Sequence, residues 1–281
     1  MKIIEVNEKQ NNKKLDKVIL DFFPNLKSNT LYKALRKKDI RVNDKRVSEN
    51  ISVNAGDIIK VFICDELLEG NISIEKIYED DYILVVNKPI NIEVVGNNSL
   101  TSYLEKEYAY INPCHRLDRN TTGLVLFAKT EEALNILLQK FKNKEIEKHY
   151  HTTVYGILNK KRDTLIAYLF KDNKKSLVYI SDEPKKGYQK IITSYKVVKE
   201  NKIENTSILD VNLITGKTHQ IRAHLAHIGY PIIGDGKYGK NEINKSFNKK
   251  TQQLECCSLK FNFSTPSDIL NYLDKKEIKK F

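Results

Sequence analysis

The chain has 281 residues and a formal net charge of +12 at pH 7, which favours a polyanionic partner such as nucleic acid. No stretch approaches the roughly 18 apolar residues of a membrane-spanning helix, and the N-terminus lacks the apolar core of a signal peptide, so we expect a cytoplasmic protein that binds no membrane. The four cysteines form neither a Cys-x-x-Cys pair nor a zinc-ligand spacing, which indicates reduced thiols and no metal site.

The N-terminal region begins with two predicted helices. Apolar residues from Leu15 to Phe22 recur at the spacing of an amphipathic helix, and Pro24 ends that helix. Ser28 is the predicted N-cap of the second helix, which carries apolar residues inward and basic residues outward.

A basic hairpin follows the second helix. Residues 40–47 predict two short strands around an Asn-Asp turn, and residues 58–62 predict a further strand. Basic side chains gather on the second helix and the hairpin, where they form either an RNA-binding surface or an ordinary solvated face. The candidates for RNA contact are Lys33, Arg36, Lys37, Arg41 and Lys45.

A change of charge separates this small domain, residues 1–63, from a larger one. Residues 64–75 are acidic and contain a glycine, which predicts a linker. The larger domain is then expected to span residues 76–281. Its first strand candidate is the apolar run at residues 83–86, which an Asn-Lys-Pro sequence closes.

The most informative stretch is His-Arg-Leu-Asp-Arg-Asn-Thr-Thr-Gly at residues 115–123, which leads into a predicted strand of apolar residues, 124–128. Asp118 stands between Arg116 and Arg119, and neighbouring positive charge favours its ionised form. An ionised carboxylate can act as a nucleophile or a base. The alternative is an Asp that caps the turn through nearby backbone amides, beside solvated arginines.

A helix and a series of strands follow. Thr130 is the predicted N-cap of the helix, and a strand is expected over residues 148–156. Tyr150 lies in that strand, where β-propensity alone could explain it. Residues 157–212 alternate like further strands and are expected to form the floor of the sheet. The apolar face of the helix is predicted to consist of Ala133, Leu134, Leu137, Leu138 and Phe141.

A second informative block covers residues 213–225 and contains Gly-Lys-Thr-His-Gln-Ile-Arg-Ala-His. A nucleotide-binding P-loop is excluded because Val211 stands where that motif requires its first glycine. The histidines at positions 219, 224 and 227 match no common zinc spacing, so we interpret them as core or hydrogen-bonding residues. Glycines at positions 234, 236 and 239 predict a tight loop with little room for side-chain chemistry.

Together these blocks resemble the RluA-type RNA pseudouridine synthases. The family pattern is His-Arg-Leu-Asp-x-x-Thr-Ser-Gly, with Thr122 here in place of Ser, and the family's second motif has Arg where this chain has Lys217. Asn91 and Glu255 also depart from the family pattern. The resemblance spans roughly residues 12–265 and implies an α+β fold. A mixed, mainly antiparallel sheet with flanking helices forms the catalytic domain, beside a small N-terminal α/β RNA-binding module.

The resemblance also implies roles for four residues. Asp118 is the catalytic residue, and Arg222 orients it through a charge-assisted, bidentate pair. Tyr150 packs its ring against the target uracil, with its hydroxyl near the proton that leaves carbon five. Arg116 fills the space that a flipped uridine leaves in the RNA. The reaction detaches uracil from its ribose and rejoins it through carbon five, without a metal or an organic cofactor.

The resemblance extends to the partner. The N-terminal domain resembles the alpha-L RNA-binding module, and its pairing with this catalytic domain points to large-subunit ribosomal RNA, with transfer RNA as the other candidate substrate. A non-catalytic RNA-binding or ribosome-assembly factor of the same fold is the alternative function. Intact Asp118, Tyr150 and Arg222 argue against that alternative. We expect the protein to be a monomer.

Overall fold

The computed structural model describes residues 1–63, 68, 73–96 and 99–280. Two compact units make up the chain: Met1–Ser73 with Gly96–Ser102, and Ile74–Val95 with Tyr103–Phe281. Most of the predicted linker at residues 64–75 lies outside the described residues. Within the described ranges, no helix combines the length and the apolar character that crossing a membrane requires.

The smaller unit packs two helices, α1 (Leu15–Phe22) and α2 (Ser28–Arg36), into one apolar core with a small sheet. Four of its strands are antiparallel neighbours in the order β1, β6, β3, β4, and β2 pairs with β5. The strands are β1 (Lys2–Glu5), β2 (Lys13–Lys14), β3 (Ile40–Val42), β4 (Lys45–Val47), β5 (Ser52–Val53) and β6 (Ile58–Val61), and a 3₁₀ turn spans Glu8–Gln10.

Two local predictions in this unit have different outcomes. Ser28 is not the N-cap of α2, because the Lys27 carbonyl already accepts from Leu31 N–H at 3.1 Å and Ser28 therefore lies in the first turn. The hairpin prediction is confirmed: β3 and β4 pair around Asn43 and Asp44, whose φ angles are 49° and 64°. Asn and Asp tolerate this left-handed conformation better than most residues do, so Asp44 serves where glycine is usual.

The larger unit is built on one long, strongly paired sheet. Among the described residues its strand order is β13, β12, β14, β15, β11, β16, β10, β8, β7, with β17 beside β16 and β9 beside β10. The strands are β7 (Glu75–Glu79), β8 (Ile83–Lys88), β9 (Asn112–Pro113), β10 (Thr122–Ala128), β11 (Ile146–Tyr155), β12 (Arg162–Asp172), β13 (Leu177–Ser181), β14 (Gln189–Asn201), β15 (Thr206–Leu213), β16 (Leu254–Phe261) and β17 (Glu277–Lys279).

The remaining helices complete an α+β fold, and the predicted fold class is confirmed. Among the described strands of the large sheet, every pair is antiparallel except β10 with β16, which is parallel. The helices are α3 (Leu100–Leu104), α4 (Glu131–Lys142), α5 (Gln220–His227) and α6 (Asn241–Ser246), and a 3₁₀ helix spans Asp268–Leu273.

The predicted apolar face of helix α4 is partly wrong. Thr130 caps it as predicted, since its hydroxyl accepts from Ala133 N–H at 3.1 Å. Leu138, however, is 44% exposed, whereas Lys140 is buried and its ammonium contacts Glu145 at 2.8 Å. The Lys140 ammonium also donates to the hydroxyl of Thr265 in the C-terminal segment at 2.8 Å. A buried lysine with such partners cannot be recognised from helical spacing alone.

The parallel contact between β10 and β16 depends on a glycine. Gly123 pairs with Cys256 and has φ of 105°, and a Cβ atom at this position would lie 2.1 Å from the Cys256 carbonyl oxygen. No other residue can fit there without moving a strand. The glycine at the end of the predicted motif therefore fixes the distance between β10 and β16 and, with it, the end of the loop that carries Asp118.

Candidate active site

A cavity of about 140 Å³ lies beside the loop that precedes β10. The loop itself, strand β11 and the segment that leads into α5 all contribute to its wall. The lining residues include Arg116, Asp118, Thr121, Lys148, Tyr150, Lys217, His219, Arg222 and Leu254. The structure thus brings the four side chains assigned by resemblance to one place, although they come from three distant parts of the sequence.

Asp118 presents its carboxylate to this cavity. Its Oδ2 accepts a hydrogen bond from Nη1 of Arg222 at 3.0 Å, and the side chain is 25% exposed. The turn is closed by the main chain instead, since Thr121 N–H donates to the Asp118 carbonyl at 3.0 Å. The turn-capping alternative therefore differs from the observed arrangement, and the carboxylate remains available to a ligand.

Arg222 connects two carboxylates. Its Nε donates to Oδ2 of Asp235 at 2.7 Å and its Nη2 donates to Oδ1 of the same residue at 3.0 Å. The bidentate pair is thus made with Asp235, and Asp118 receives a single bond. The prediction that the glycine-rich loop leaves little room for side-chain chemistry is wrong, because Asp235 lies within that loop and points inward.

The Arg222–Asp235 pair stays charged although both side chains are buried. Burial by itself raises the pKa of Asp235 and lowers that of Arg222. Pairing outweighs burial in both cases, so the pKa of Asp235 lies below its usual value and that of Arg222 above it. Asp235 holds the guanidinium rigidly, which leaves Nη1 directed at Asp118.

Tyr150 and Lys148 enter the cavity from β11. Tyr150 is 4% exposed and lies opposite Cys256 in the β11–β16 pair. Burial, together with the neighbouring Cys256 and Asp118, raises the pKa of Tyr150 well above its usual value, so its phenol is neutral at pH 7. Burial also lowers the pKa of Lys148, whose ammonium lies 5.1 Å from the centroid of the Phe141 ring.

His219 is a neighbour of Asp118 that the sequence did not single out for this role. It precedes α5 with a left-handed φ of 54°, and its Nε2 lies 3.9 Å from Oδ2 of Asp118. Its Nδ1 lies 2.8 Å from the Tyr238 hydroxyl. Burial lowers the pKa of His219 to about 4, even though Asp118 opposes the shift, so the imidazole is neutral at pH 7.

The other two histidines of this block have hydrogen-bonding roles. His224 Nδ1 lies 3.0 Å from the Thr193 hydroxyl, and His227 Nε2 lies 2.8 Å from Asp182 Oδ1. The interpretation of these side chains as hydrogen-bonding residues is therefore confirmed. Across the described residues, no three His, Cys, Asp or Glu side chains form a group that could hold a metal ion.

Gln220 fixes the segment that carries His219 and Arg222. Its Oε1 accepts from the Thr215 hydroxyl at 2.9 Å and from Lys217 N–H at 3.1 Å. Its Nε2 donates to the Ile192 carbonyl at 3.1 Å, which ties the segment to β14. The Gly-Lys-Thr-His sequence is thus a loop held against the sheet, in agreement with the exclusion of a P-loop.

Lys88 fixes the loop that carries Asp118. Its side chain is fully buried, and its ammonium donates to the carbonyls of Pro89, Ile92 and Arg119 at 2.8–3.0 Å. From the other side, Gln252 Nε2 donates to the Thr121 hydroxyl at 2.7 Å. These bonds satisfy carbonyl groups that the loop would otherwise bury unpaired.

The burial of Lys88 makes stability depend on pH. Burial lowers its pKa to about 7, although Asp118 and Glu93 oppose the shift, whereas the unfolded value is 10.5. Between these values the unfolded chain binds more protons than the folded one, so the contribution of Lys88 to stability rises with pH. We expect the difference in unfolding free energy, wild type minus Lys88→Met, to rise by about 1 kcal/mol per pH unit from about pH 7 to 10.

Urea denaturation at several pH values measures this difference. The exposed Lys190 offers a matched control, since Lys190→Met removes a charge that both states hold in water. A difference for Lys88→Met that is as flat as that of the control would show that the ammonium remains protonated in the folded chain.

The residues predicted to bind RNA lie in both units. Arg116 is exposed at the rim of the cavity. In the smaller unit Lys33, Arg36, Lys37 and Lys45 are exposed. Arg41 is half-buried, with its guanidinium 5.0 Å from the centroid of the Phe62 ring, and Phe62 is itself 40% exposed.

The roles of four residues at this site were not predicted from the sequence. Asp235, His219, Gln220 and Lys88 all hold or adjoin the Asp118–Arg222 pair. Asp235 follows a glycine and Lys88 precedes a proline. Neither dipeptide indicates that the charged side chain is buried. Only their contacts reveal these positions.

Comparison with known proteins agrees with the family that residues 115–123 and 213–225 predict. Residues 82–227 match the family profile described as RNA pseudouridylate synthase. Ribosomal large subunit pseudouridine synthase C of Buchnera aphidicola from Acyrthosiphon pisum is 30% identical, over 95% of this chain and 90% of its own. The protein of the same name from Vibrio cholerae is 28% identical, over 87% and 82%. Human RNA Pseudouridylate Synthase Domain Containing 1 has a similar fold, with a TM-score of 0.60, 22% identity and coverage of 72% of this chain and 86% of that one.

Proposed function

The chain belongs to the RNA pseudouridylate synthase family, and from this membership we propose that it converts uridines of large-subunit ribosomal RNA to pseudouridine with Asp118 as the catalytic carboxylate. The family predicted from residues 115–123 and 213–225 is thereby confirmed, and the protein is an RNA pseudouridine synthase. The observation that carries the catalytic assignment is the position of Asp118. Among the described residues it is the one carboxylate that lines the cavity, and Arg222 donates a hydrogen bond to it.

The reaction is an isomerisation with a simple atomic balance. The bond between N1 of uracil and C1′ of ribose breaks, a bond between C5 and C1′ forms, the hydrogen leaves C5, and N1 gains a proton. Asp118 can add to the base or to the ribose, or take a proton from the ribose, and each route needs a carboxylate within reach of the flipped nucleotide. The Arg222 guanidinium orients the carboxylate in all three.

Tyr150 and Arg116 suit the two sides of a flipped uridine. The buried ring of Tyr150 offers an apolar face for uracil, and its neutral hydroxyl can donate a hydrogen bond near C5. Arg116 is exposed at the rim, where a planar guanidinium can stack on the bases that remain and pair with phosphate. Flipping costs about a few kcal/mol of unstacking, which these contacts offset.

The substrate assignment is supported by relatives and by charge. The relatives from Buchnera and Vibrio are named as synthases of the ribosomal large subunit, and they match most of this chain. The net charge of +12 suits a large folded RNA. We propose a cytoplasmic monomer as the active form, in which Asp118, Tyr150 and Arg222 of a single chain are enough to form the site.

We further propose that residues 1–63 form an RNA-binding module of the alpha-L type and that residues 76–281 form the catalytic domain. The exposed basic residues on α2 and β4 support the first assignment. The half-exposed Phe62 under Arg41 adds an aromatic surface of the kind that unpaired bases stack on.

Neutralising this surface should weaken binding and flatten its salt dependence. Affinity falls as salt rises, and each lost phosphate contact reduces the magnitude of the slope of log affinity against log salt by about 0.7–0.9. We expect the combined Lys33→Ala, Lys37→Ala and Lys45→Ala variant to lower that slope by about 2 in filter binding with ribosomal RNA. Changing Lys196, Lys199 and Lys202 of the larger unit removes equal charge elsewhere. The N-terminal assignment would be wrong if both variants changed the slope equally.

The proposed activity is tested by mapping pseudouridines on unmodified large-subunit ribosomal RNA after incubation with the purified protein. One or a few new sites are expected, and none with the Asp118→Ala protein. Modification of transfer RNA alone would keep the enzyme class and overturn the proposed substrate.

A further inference from the structure

A second cavity adjoins the active-site cavity. It measures about 180 Å³ and lies between the C-terminal end of α4, the start of β11 and the end of β15. Lys148, Leu213 and Gly216 line both cavities. The two cavities are therefore adjacent and share part of their wall. The catalytic roles proposed above involve no side chain that lines only the second cavity.

Aromatic and basic side chains line the second cavity. Phe141 presents a half-buried ring to it, and the Lys148 ammonium lies 5.1 Å from the centroid of that ring. Lys144 is exposed at the margin, in a left-handed turn with φ of 60° that ends α4. An aromatic face beside an exposed lysine is the combination that binds a base and its phosphate in single-stranded RNA.

Polar side chains that line the same cavity can read the edge of a base. Asn212 Nδ2 lies 3.4 Å from Glu147 Oε2, and Asn262 Nδ2 donates to Glu147 Oε1 at 3.2 Å. The Asn212 amide has both a donor and an acceptor group, and Glu147 supplies further acceptors. These two residues lie on neighbouring strands and are half-buried, so their geometry is held by the sheet.

We propose that the second cavity binds the base of the nucleotide next to the target uridine, with Phe141 as its stacking surface and Lys144 near its phosphate. This inference rests on the proposed function, because it assumes that the uridine occupies the cavity of Asp118. The shared wall of Lys148 and Gly216 allows two consecutive nucleotides of one strand to be held at once. Phe141 and Asn212 then contribute to the choice of sequence around the target.

Synthetic RNA hairpins provide the test. Each carries [5-³H]uridine at the site that mapping identifies, and the 5′ or the 3′ neighbour is either intact or abasic. Tritium release measures turnover, since the hydrogen leaves C5 in the reaction. On intact RNA we expect Phe141→Leu to lower kcat/KM by about tenfold, the scale of one lost base stack, and Phe141→Tyr to retain the rate. Leu138→Ala, on the exposed side of the same helix, should also retain it.

The abasic substrates separate stacking from a general packing defect. For one of the two neighbours, wild-type kcat/KM should fall by about tenfold when the base is missing, and Phe141→Leu should cause no further loss. Independent, multiplying effects on both abasic substrates would overturn the subsite while leaving the proposed function intact. Absence of tritium release with the wild type and intact ribosomal RNA would overturn the proposed function and the subsite with it.

Discussion

Asp118→Asn should lower pseudouridine formation by at least about a thousandfold, the order of effect that follows loss of a catalytic nucleophile or base. The amide keeps the size and the polarity of the side chain but cannot add to a carbon atom or accept a proton. RNA affinity should change little, because the proposed RNA-binding surface consists of many other side chains. Single-turnover release of tritium from [5-³H]uridine RNA measures the chemical step, and filter binding measures affinity.

Asp210→Asn is the matched control for this change. Asp210 lies on β15 of the same sheet, pairs with His149 at 3.3 Å and does not line the cavity. It should retain wild-type turnover. An Asp118→Asn protein with a normal melting temperature and more than about a tenth of wild-type turnover would remove Asp118 from the mechanism.

The second large effect concerns stability. Asp235→Ala should lower the free energy of unfolding by about 3–5 kcal/mol, because it leaves the buried Arg222 without its bidentate partner. Turnover should fall as well, since the guanidinium that orients Asp118 loses the group that holds it. Urea denaturation gives the first quantity, and kcat on ribosomal RNA gives the second.

Two further variants identify the cause of that loss. Asp182 also forms an ion pair, with His227 at 2.8 Å, but its side chain is 82% exposed, so Asp182→Ala should change stability by less than about 1 kcal/mol. The double variant Arg222→Met with Asp235→Ala removes both buried charges and should be more stable than Asp235→Ala alone. If the double variant loses as much as the sum of the two single changes, an unpaired buried arginine is not the cause.

Local patterns in the sequence determined much of the fold and pointed to one candidate catalytic residue. The apolar run after Gly123 determined strand β10, the spacing from Leu15 to Phe22 determined α1, and the Asn-Asp pair determined a hairpin. Each of these depends on neighbours a few positions apart, which a short window of sequence contains. The resemblance around Asp118 identified its family and its proposed role, because that motif is contiguous.

The tertiary structure decided how the site is held together. Arg222 is 104 positions from Asp118 and 13 from Asp235, and its bidentate pairing with the second carboxylate, rather than the first, depends on how α5 and the glycine-rich loop fold over the sheet. The side chains of Lys88 and Lys140 are also buried, and their ammonium groups contact carbonyl and carboxylate oxygens from other parts of the fold. Periodicity indicates which faces are apolar, but it carries no information on the partner that allows a charged side chain to be buried. That information lies in contacts between distant segments, which only the folded chain brings together.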